Sequence, residues 1–438
     1  MPRDIPEVPN DMPAATVADD HVFEMELITP LFGGGVEPRK NETSFPIRPT
    51  EIRGQLEFWW RATAGARYDA VRALREAQTN IWGSTERASR VIVSVELGQV
   101  DSPKPCAKYE PDRNNPEQLR SIWLQPFNIV DTSLPYALFP FQGQLGQGRS
   151  RVEVPPAECI QKATFKLHVQ CPADCWPEVE QAVRAWTLFG GLGSRTRRGC
   201  GAIACAKLNP KDRNDLLQHA KQLAQSSHAV RQWPTLAAAI LVGKEFDSAI
   251  AAWNEAIRVY QKFRQGVGIG RNPGQQNRAG RSRWPEPETI RRVTKRRAQR
   301  HQRLEQIPDD AFPRAELGLP IVFHFKFKDR GDPEDTVLYP GKGPDGESRE
   351  RMASPLILKA VKLANNKFVP VIVQLRVPPL DSVDLRQGNQ SLPLPNPIFI
   401  RGKKLAEYPN SPMSRLSQNG SALEAFIHFA VSQGFVRA

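Results

Sequence analysis

A chain of 438 residues, 40% of them hydrophobic, is long enough for two domains, three at most, each with its own core. Lys and Arg outnumber Asp and Glu by 60 to 47, and the net charge of +13 favours a polyanionic partner. No window approaches the ~20 apolar residues of a membrane span, and the longest run, Thr235 to Gly243 (TLAAAILVG), is far shorter. The first twenty residues carry acids and prolines and no apolar stretch, so no secretory signal is expected. Six cysteines at this length make no disulfide scaffold. A cytoplasmic protein with reduced thiols is expected.

The first half alternates strand and helix patterns after a tail over residues 1–20. His21 to Thr29 alternates apolar and polar residues, as a half-buried strand does. Thr50 is placed to cap a helix running to about Ala64, with Ile52, Leu56, Trp59 and Thr63 on one face. Arg90–Leu97 and Ala163–Val169 read as two strands, separated by an insertion or extended hairpin near 99–160. Trp176–Phe189 reads as a second helix and Gly201–Lys207 as the last strand. The order is βαββαβ, so a ferredoxin-like, RRM-like fold is expected for 21–210.

The second half starts near residue 211. Phe246, Ile250, Trp253, Ile257 and Tyr260 repeat at 4-3-4-3, the signature of an amphipathic helix. Leu319–Lys328 and Phe368–Val377 read as strands, and Ser421–Gly434 as a closing helix. A second α+β domain over 211–438 is expected, readable as a diverged copy of the first, with no sequence repeat strong enough to prove it. Between helix and strands lies a basic segment, 264–303, with twelve Lys/Arg against two Glu. It reads either as a nucleic-acid-binding surface or as a solvated loop.

The stretch Gly190–Gly201 (GGLGSRTRRGCG) is the most informative. Glycines such as Gly191 and Gly193 let a backbone come close to a ligand, and Arg195, Arg197 and Arg198 offer planar forks for phosphate. The stretch follows a helix and precedes a strand, the reverse of a Walker or dinucleotide loop. A flexible turn with solvated arginines is the alternative. On the phosphate-binding reading these side chains should contribute little to stability, whereas a structural role would show as a lower melting temperature.

A Gly-rich loop with arginines before the last strand of such a domain resembles the RAMP superfamily of CRISPR-associated proteins. Thr29–Gly35 (TPLFGGG) followed by Ile47–Arg61 (IRPTEIRGQLEFWWR) resembles the first-named RAMP subunit family of the type III-B (Cmr) effector complex. Gly280–Pro287 (GRSRWPEP), Phe312–Ala315 with Gly318–Pro320, and Arg351–Leu356 (RMASPL) are similar to further stretches of that family. The resemblance implies two ferredoxin-like domains with insertions. It also implies a non-catalytic RNA-binding subunit near the crRNA 3′ end that helps capture target RNA. Its partners would be crRNA, target RNA and the other subunits of the effector, with no membrane and no cofactor.

The candidate RNA-binding residues fall in three places. Arg48, Arg53 and Arg61 lie on or beside the first helix; Arg53, Glu57 and Arg61 are spaced either for phosphate contact or for an ion-pair ladder. Trp60 is either core or a stacking platform. The Gly-rich loop is the second place. The third is the basic segment, where Trp284 among Arg281, Arg283 and Arg291 suits single-stranded RNA or anchors the loop to the core. Arg291 and Arg292 fall on an expected basic helix from Glu288 to Leu304. An RNA endonuclease of the same superfamily is the rival reading, with His301 as the candidate base; a scaffold that touches only protein is another. The cysteine spacings are not those of a zinc site, so no metal is expected.

Overall fold

The structure, a computed structural model, describes residues 19–33, 35, 37–224, 231–275, 279–299, 301, 310–343, 346–414 and 416–438. Apart from Asp19 and Asp20, the expected tail lies outside them, as does the far end of the expected basic helix, 302–304.

The first half is built from β1 (Asp19–Leu27), α1 (Pro49–Ala62), α2 (Val71–Trp82), β2 (Ile92–Val100), β3 (Ala163–Cys171), α3 (Trp176–Phe189) and β4 (Ile203–Cys205). β1 pairs antiparallel with β3 and β4, and β3 with β2, giving the order β4-β1-β3-β2. Phe23, Met25 and Leu27 point inward with Phe165, Leu167 and Val169, while Glu24 and Lys166 face water. This alternation is what a sheet with one wet face requires.

The second half contains α4 (Arg213–Ala224), β5 (Thr235–Val242), α5 (Ala249–Gln265), α6 (Glu286–Val293), β6 (Leu356–Lys362), β7 (Phe368–Arg376), α7 (Ala422–Ser432) and β8 (Val436–Arg437). Its main sheet runs β6-β7-β5-β8. Numbered within each half, both sheets have the order second, third, first, fourth. The same path is therefore traced twice, without a sequence repeat to announce it. A smaller sheet of Ile321–Phe323, Thr336–Pro340, Val383–Gln387 and Gln390–Ser391 carries a third core with Ile290 and Phe312.

The two halves stack in four layers: first sheet, helices α1 and α3, second sheet, helices α5 and α7. Ile357, Val361, Val369 and Val371 share a core with Phe23, Trp59 and Trp186. Their neighbours Leu356, Leu358, Ala360 and Ile372 pack instead with Trp253, Phe263 and Phe426. The period-two alternation of a strand thus feeds two cores. Helices α1 and α3 are consequently covered on both sides. Trp59 and Trp60 are adjacent and cannot share a face, yet they are 1% and 0% exposed. Trp60 is therefore core, its indole N–H donating to Glu178 at 2.8 Å, and it offers no stacking platform.

Several expectations need correction. Thr50 does not cap α1; Arg48 holds the N-cap position and Pro49 opens the helix, where its missing N–H costs nothing. Phe246 precedes α5, which Ser248 caps by accepting the Ala251 N–H. The expected Leu319–Lys328 strand survives only as Ile321–Phe323, because its partner pairs over three residues and the chain then turns at Lys328–Arg330. Strand β6 and helix α2 were not foreseen.

Lys359 sits on the β6 face that meets the first half, between Ile357 and Val361, and is fully buried. Its Nζ donates to the carbonyls of Thr187 (3.1 Å) and Gly190 (2.9 Å), at the C-terminus of α3. Those carbonyls have no partner inside the helix, and a cation or amine there is favoured by the helix dipole. Burial pushes the ammonium down from 10.5 to about 7. The unfolded chain therefore takes up this proton first as pH falls, and the contribution to stability shrinks from pH 10.5 down to about 7. Replacing Lys359 by Met should lower stability by about 1–3 kcal/mol, because two buried carbonyls lose their donor. It should also flatten the rise in stability between pH 7.5 and 9.5, read as denaturant midpoints at the two pH values.

Candidate nucleic-acid interface

The Gly-rich loop begins where α3 ends and lies in the seam between the halves. The first half holds one side of it. Thr29 Oγ1, fully buried, donates to the Gly199 carbonyl at 2.6 Å and accepts from the Ala202 N–H at 2.8 Å. Gly201 N–H donates to the Pro30 carbonyl and Ser194 N–H to the Phe32 carbonyl. The Gly193 N–H meets the Glu51 carboxylate, in the first turn of α1. Burial raises the Glu51 pKa, and this N–H together with Arg48 opposes the rise.

The second half holds the other side. The Arg197 guanidinium donates to the Ser354 carbonyl, and that of Arg198 to the Leu356 carbonyl at 3.0 Å. The Trp253 indole N–H, on α5, donates to the Arg198 carbonyl at 2.6 Å. The loop is thus a splice between domains. Thr29–Gly33, the start of α1, Gly190–Gly201 and Ser354–Leu356 are far apart in the sequence and meet here.

This geometry corrects the reason given for the glycines. Gly193 has φ +72°, and a side chain there would strike the Phe32 carbonyl and Leu31; Gly199 has φ +85° and faces Trp253 and the Leu358 carbonyl. Gly191 lies against the Gly201 carbonyl. They admit protein, and the Gly193 N–H already has an acceptor. Arg197 and Arg198 are likewise partnered to backbone, so the expected insensitivity of stability to their loss is corrected. Arg195, in left-handed conformation at φ +57°, is half-buried, lies 5.9 Å from the exposed Phe139 ring, and has a buried Nε without a hydrogen bond.

On α1 the ion-pair ladder forms. Glu57 lies between Arg53 (3.1 Å) and Arg61 (4.0 Å), and Arg53 also donates to the Trp82 carbonyl. Arg48 is exposed beside the loop.

The basic segment is mostly neutralised from within. Glu288 pairs with Arg281 (2.6 Å), Arg291 (2.7 Å) and Arg297 (2.7 Å). Asp332, fully buried, pairs with Arg291 (3.0 Å) and His301 (2.8 Å); its pKa stands at about 2, the guanidinium and imidazole overcoming desolvation. Arg292 pairs with Asp310, and Arg283 donates to the carbonyls of Asn410 and Gly268. Trp284 is 1% exposed, packs edge-on against Phe263, and donates its indole N–H to the Arg264 carbonyl at 2.9 Å. It anchors the segment, and its ring has no face open to a base. α6 ends at Val293, well short of the expected Leu304. Sequence reasoning named none of these acidic partners, since Asp332 lies far along the chain from Arg291.

All six cysteines are free and buried, and burial pushes the Cys106 and Cys200 thiols up to about 12. Among the described residues no group of His, Cys, Asp and Glu is arranged to hold a metal, and no helix is long and apolar enough to cross a membrane.

The loop's role as a splice predicts that Arg197→Ala and Arg198→Ala each lower stability by about 0.5–1.5 kcal/mol, the worth of one net hydrogen bond. Gly193→Val should cost more, because it combines strained φ with a clash. Chemical denaturation of the three variants checks both statements.

Comparison with known proteins places this architecture. Residues 24–204 match the RAMP superfamily. Cmr subunit Cmr1-2 of a CRISPR system in Pyrococcus furiosus is 27% identical over 190 residues, 42% of this chain and 92% of that protein. Cmr subunit Cmr1-1 of the same organism is 28% identical over 197 residues, 44% of this chain and half of that protein. The crystal structure of apo Cmr1 from Pyrococcus furiosus aligns with a TM-score of 0.47 at 17% identity, over 96% of this chain and 98% of that one. A chain in the cryo-EM structure of type III-B Cmr-beta bound to cognate target RNA aligns at 0.44 and 12% identity, over 81% and 94%. The segment that matches the RAMP superfamily spans β1 to β4, and the curated relatives of this chain are Cmr subunits of CRISPR systems.

Proposed function

We propose that the chain is a non-catalytic, RNA-binding subunit of a type III-B CRISPR effector complex. On this reading it sits near the crRNA 3′ end in the cytoplasm, contacts crRNA and neighbouring subunits, and helps capture target RNA. Its two halves are read as ferredoxin-like domains with insertions, supported by the shared strand order of the two sheets. The RAMP match and the Cmr relatives support the assembly.

The observation that carries the RNA reading is the convergence at the seam. Three of the stretches that resemble the Cmr family come together around one arginine-bearing loop, with exposed Arg48 beside it and Arg195 free of hydrogen bonds at its Nε. The proposed interface is centred there, on Arg48, Arg195 and the outer edges of Arg53 and Arg61. Arg281, Arg283, Arg291 and Arg292 are secondary candidates, since each already holds protein acceptors. His301 is held by Asp332 and Arg291, which suits an ion-pair network.

Labelled single-stranded RNA should bind the purified protein with a log–log salt slope of about −0.7 per phosphate held. Arg48→Ala combined with Arg195→Ala should make that slope shallower by about 1.4, two contacts' worth. Arg283→Ala should leave it near the wild-type value. A flat response to salt argues for a scaffold that touches only protein. Metal-independent or Mg²⁺-dependent cleavage of repeat or target RNA by the chain alone, abolished in His301→Ala, argues for an endonuclease.

A further inference from the structure

Behind the Gly-rich loop the arginines are treated differently from those between Arg281 and Arg297. Arg198 and Arg264 lie over the Tyr260 ring, at 5.1 and 5.6 Å. Arg314 lies 5.6 Å from the Trp284 ring, whose N–H is fixed to the Arg264 carbonyl. Arg195 approaches from the loop. These residues come from three separate elements: the loop, the last turn of α5, and the Pro313–Leu317 turn.

The acid that faces them among the described residues is Glu286, fully buried and 3.2 Å from Arg314. Four guanidiniums therefore share one carboxylate. The Nε atoms of Arg195 and Arg264 are buried without a hydrogen bond. Tyr260 is 2% exposed, with Arg264 against its ring and hydroxyl. Burial works upward on this phenol, yet Arg264 and Arg198 outweigh it and its pKa falls.

Gathering four partly buried guanidiniums around one carboxylate is costly. Elsewhere this fold supplies more acid: Glu288 takes three arginines, and Asp332 takes Arg291 with His301. A compact anion with several acceptor oxygens would balance the charge. Phosphate fits the guanidinium fork and also accepts from a hydroxyl.

We propose that Arg195, Arg198, Arg264, Arg314 and the Tyr260 hydroxyl form a seat for one phosphate group of an RNA backbone at the seam between the halves. This rests on the RNA-binding reading and deepens it. The seat lies behind the loop, so it fixes where the strand crosses from one half to the other. Arg314 is pre-oriented by Glu286, and Arg198 by the Leu356 carbonyl, so little side-chain freedom remains to be lost on binding.

The test uses the full chain with Arg264→Gln and Tyr260→Phe. Thermal unfolding is measured in inorganic phosphate and in chloride at equal ionic strength, and single-stranded RNA affinity is measured across KCl concentrations. Wild type should melt higher in phosphate, saturably, and both variants should show a smaller rise. In chloride, Arg264→Gln should melt no lower than wild type, because it thins a group of four guanidiniums that share one carboxylate. Both variants should bind RNA more weakly, Arg264→Gln by about tenfold and with a slope shallower by about 0.7.

A lower melting point of Arg264→Gln in chloride, with RNA affinity unchanged, would overturn the seat while leaving the RNA reading intact. Loss of the phosphate response with unchanged RNA affinity would overturn the strand assignment and leave a free-anion site. If wild type responds to phosphate through these residues but binds no RNA at any salt, the RNA reading fails and the strand assignment fails with it. The tyrosine variant keeps the test decisive if the arginine variant does not fold.

Discussion

The second sheet has no face for water, and most of the architecture follows from that. Every residue of β6 from Leu356 to Val361 is buried, and β7 is nearly as enclosed. One face is covered by α5 and α7. The other needs a second layer of helices, and the first half supplies α1 and α3. Apolar burial at about 25 cal/mol per Å² favours this arrangement strongly over two separate domains. A helix pair enclosed on both sides buries residues that cannot share one face, as the two adjacent tryptophans and the run from Ala185 to Phe189 do.

That enclosure also dictates where polarity is admitted. The C-terminal carbonyls of α3 are deep in the stack and need a donor, and Lys359 crosses the seam to reach them. The loop beyond is bound on both sides for the same reason: its backbone is buried, so its donors and acceptors must be satisfied by protein. Among the described arginines some serve as internal donors, some are matched to acids, and a small group gathers around Tyr260. Net charge by segment does not distinguish these groups. The segment with the largest excess is among the best neutralised.

What the sequence disclosed follows the same physics. β1 and β3 were legible because one wet face preserves their alternation, and α3 was read to the residue from its apolar spacing between Pro177 and Gly190. β6 was not legible: burial on both faces erases the period, and two lysines in LILKAVK obscure what remains. The small second-half strands are two to five residues long and take their identity from pairing partners. For the candidate site, residue type revealed where charge is concentrated but not what opposes it. Glu288 meets three arginines, and Asp332 is reached only through the tertiary fold. Trp284 illustrates the point: the same run of aromatic and basic residues suits a stacking surface or an anchor, and only the cover provided by Phe263 decides.

The shared helical layer has a consequence for how the chain is made. During synthesis the first half leaves the ribosome long before β6 and β7 exist. At that stage α1 and α3 have their own sheet on one side and nothing on the other, so Trp59, Phe189 and their neighbours present an apolar surface for the time needed to add some 170 residues, several seconds or longer at bacterial elongation rates of ~5–20 residues per second. The nascent first half is thus an intermediate that attracts chaperones or other apolar surfaces, and its maturation is the arrival of the chain's own later strands.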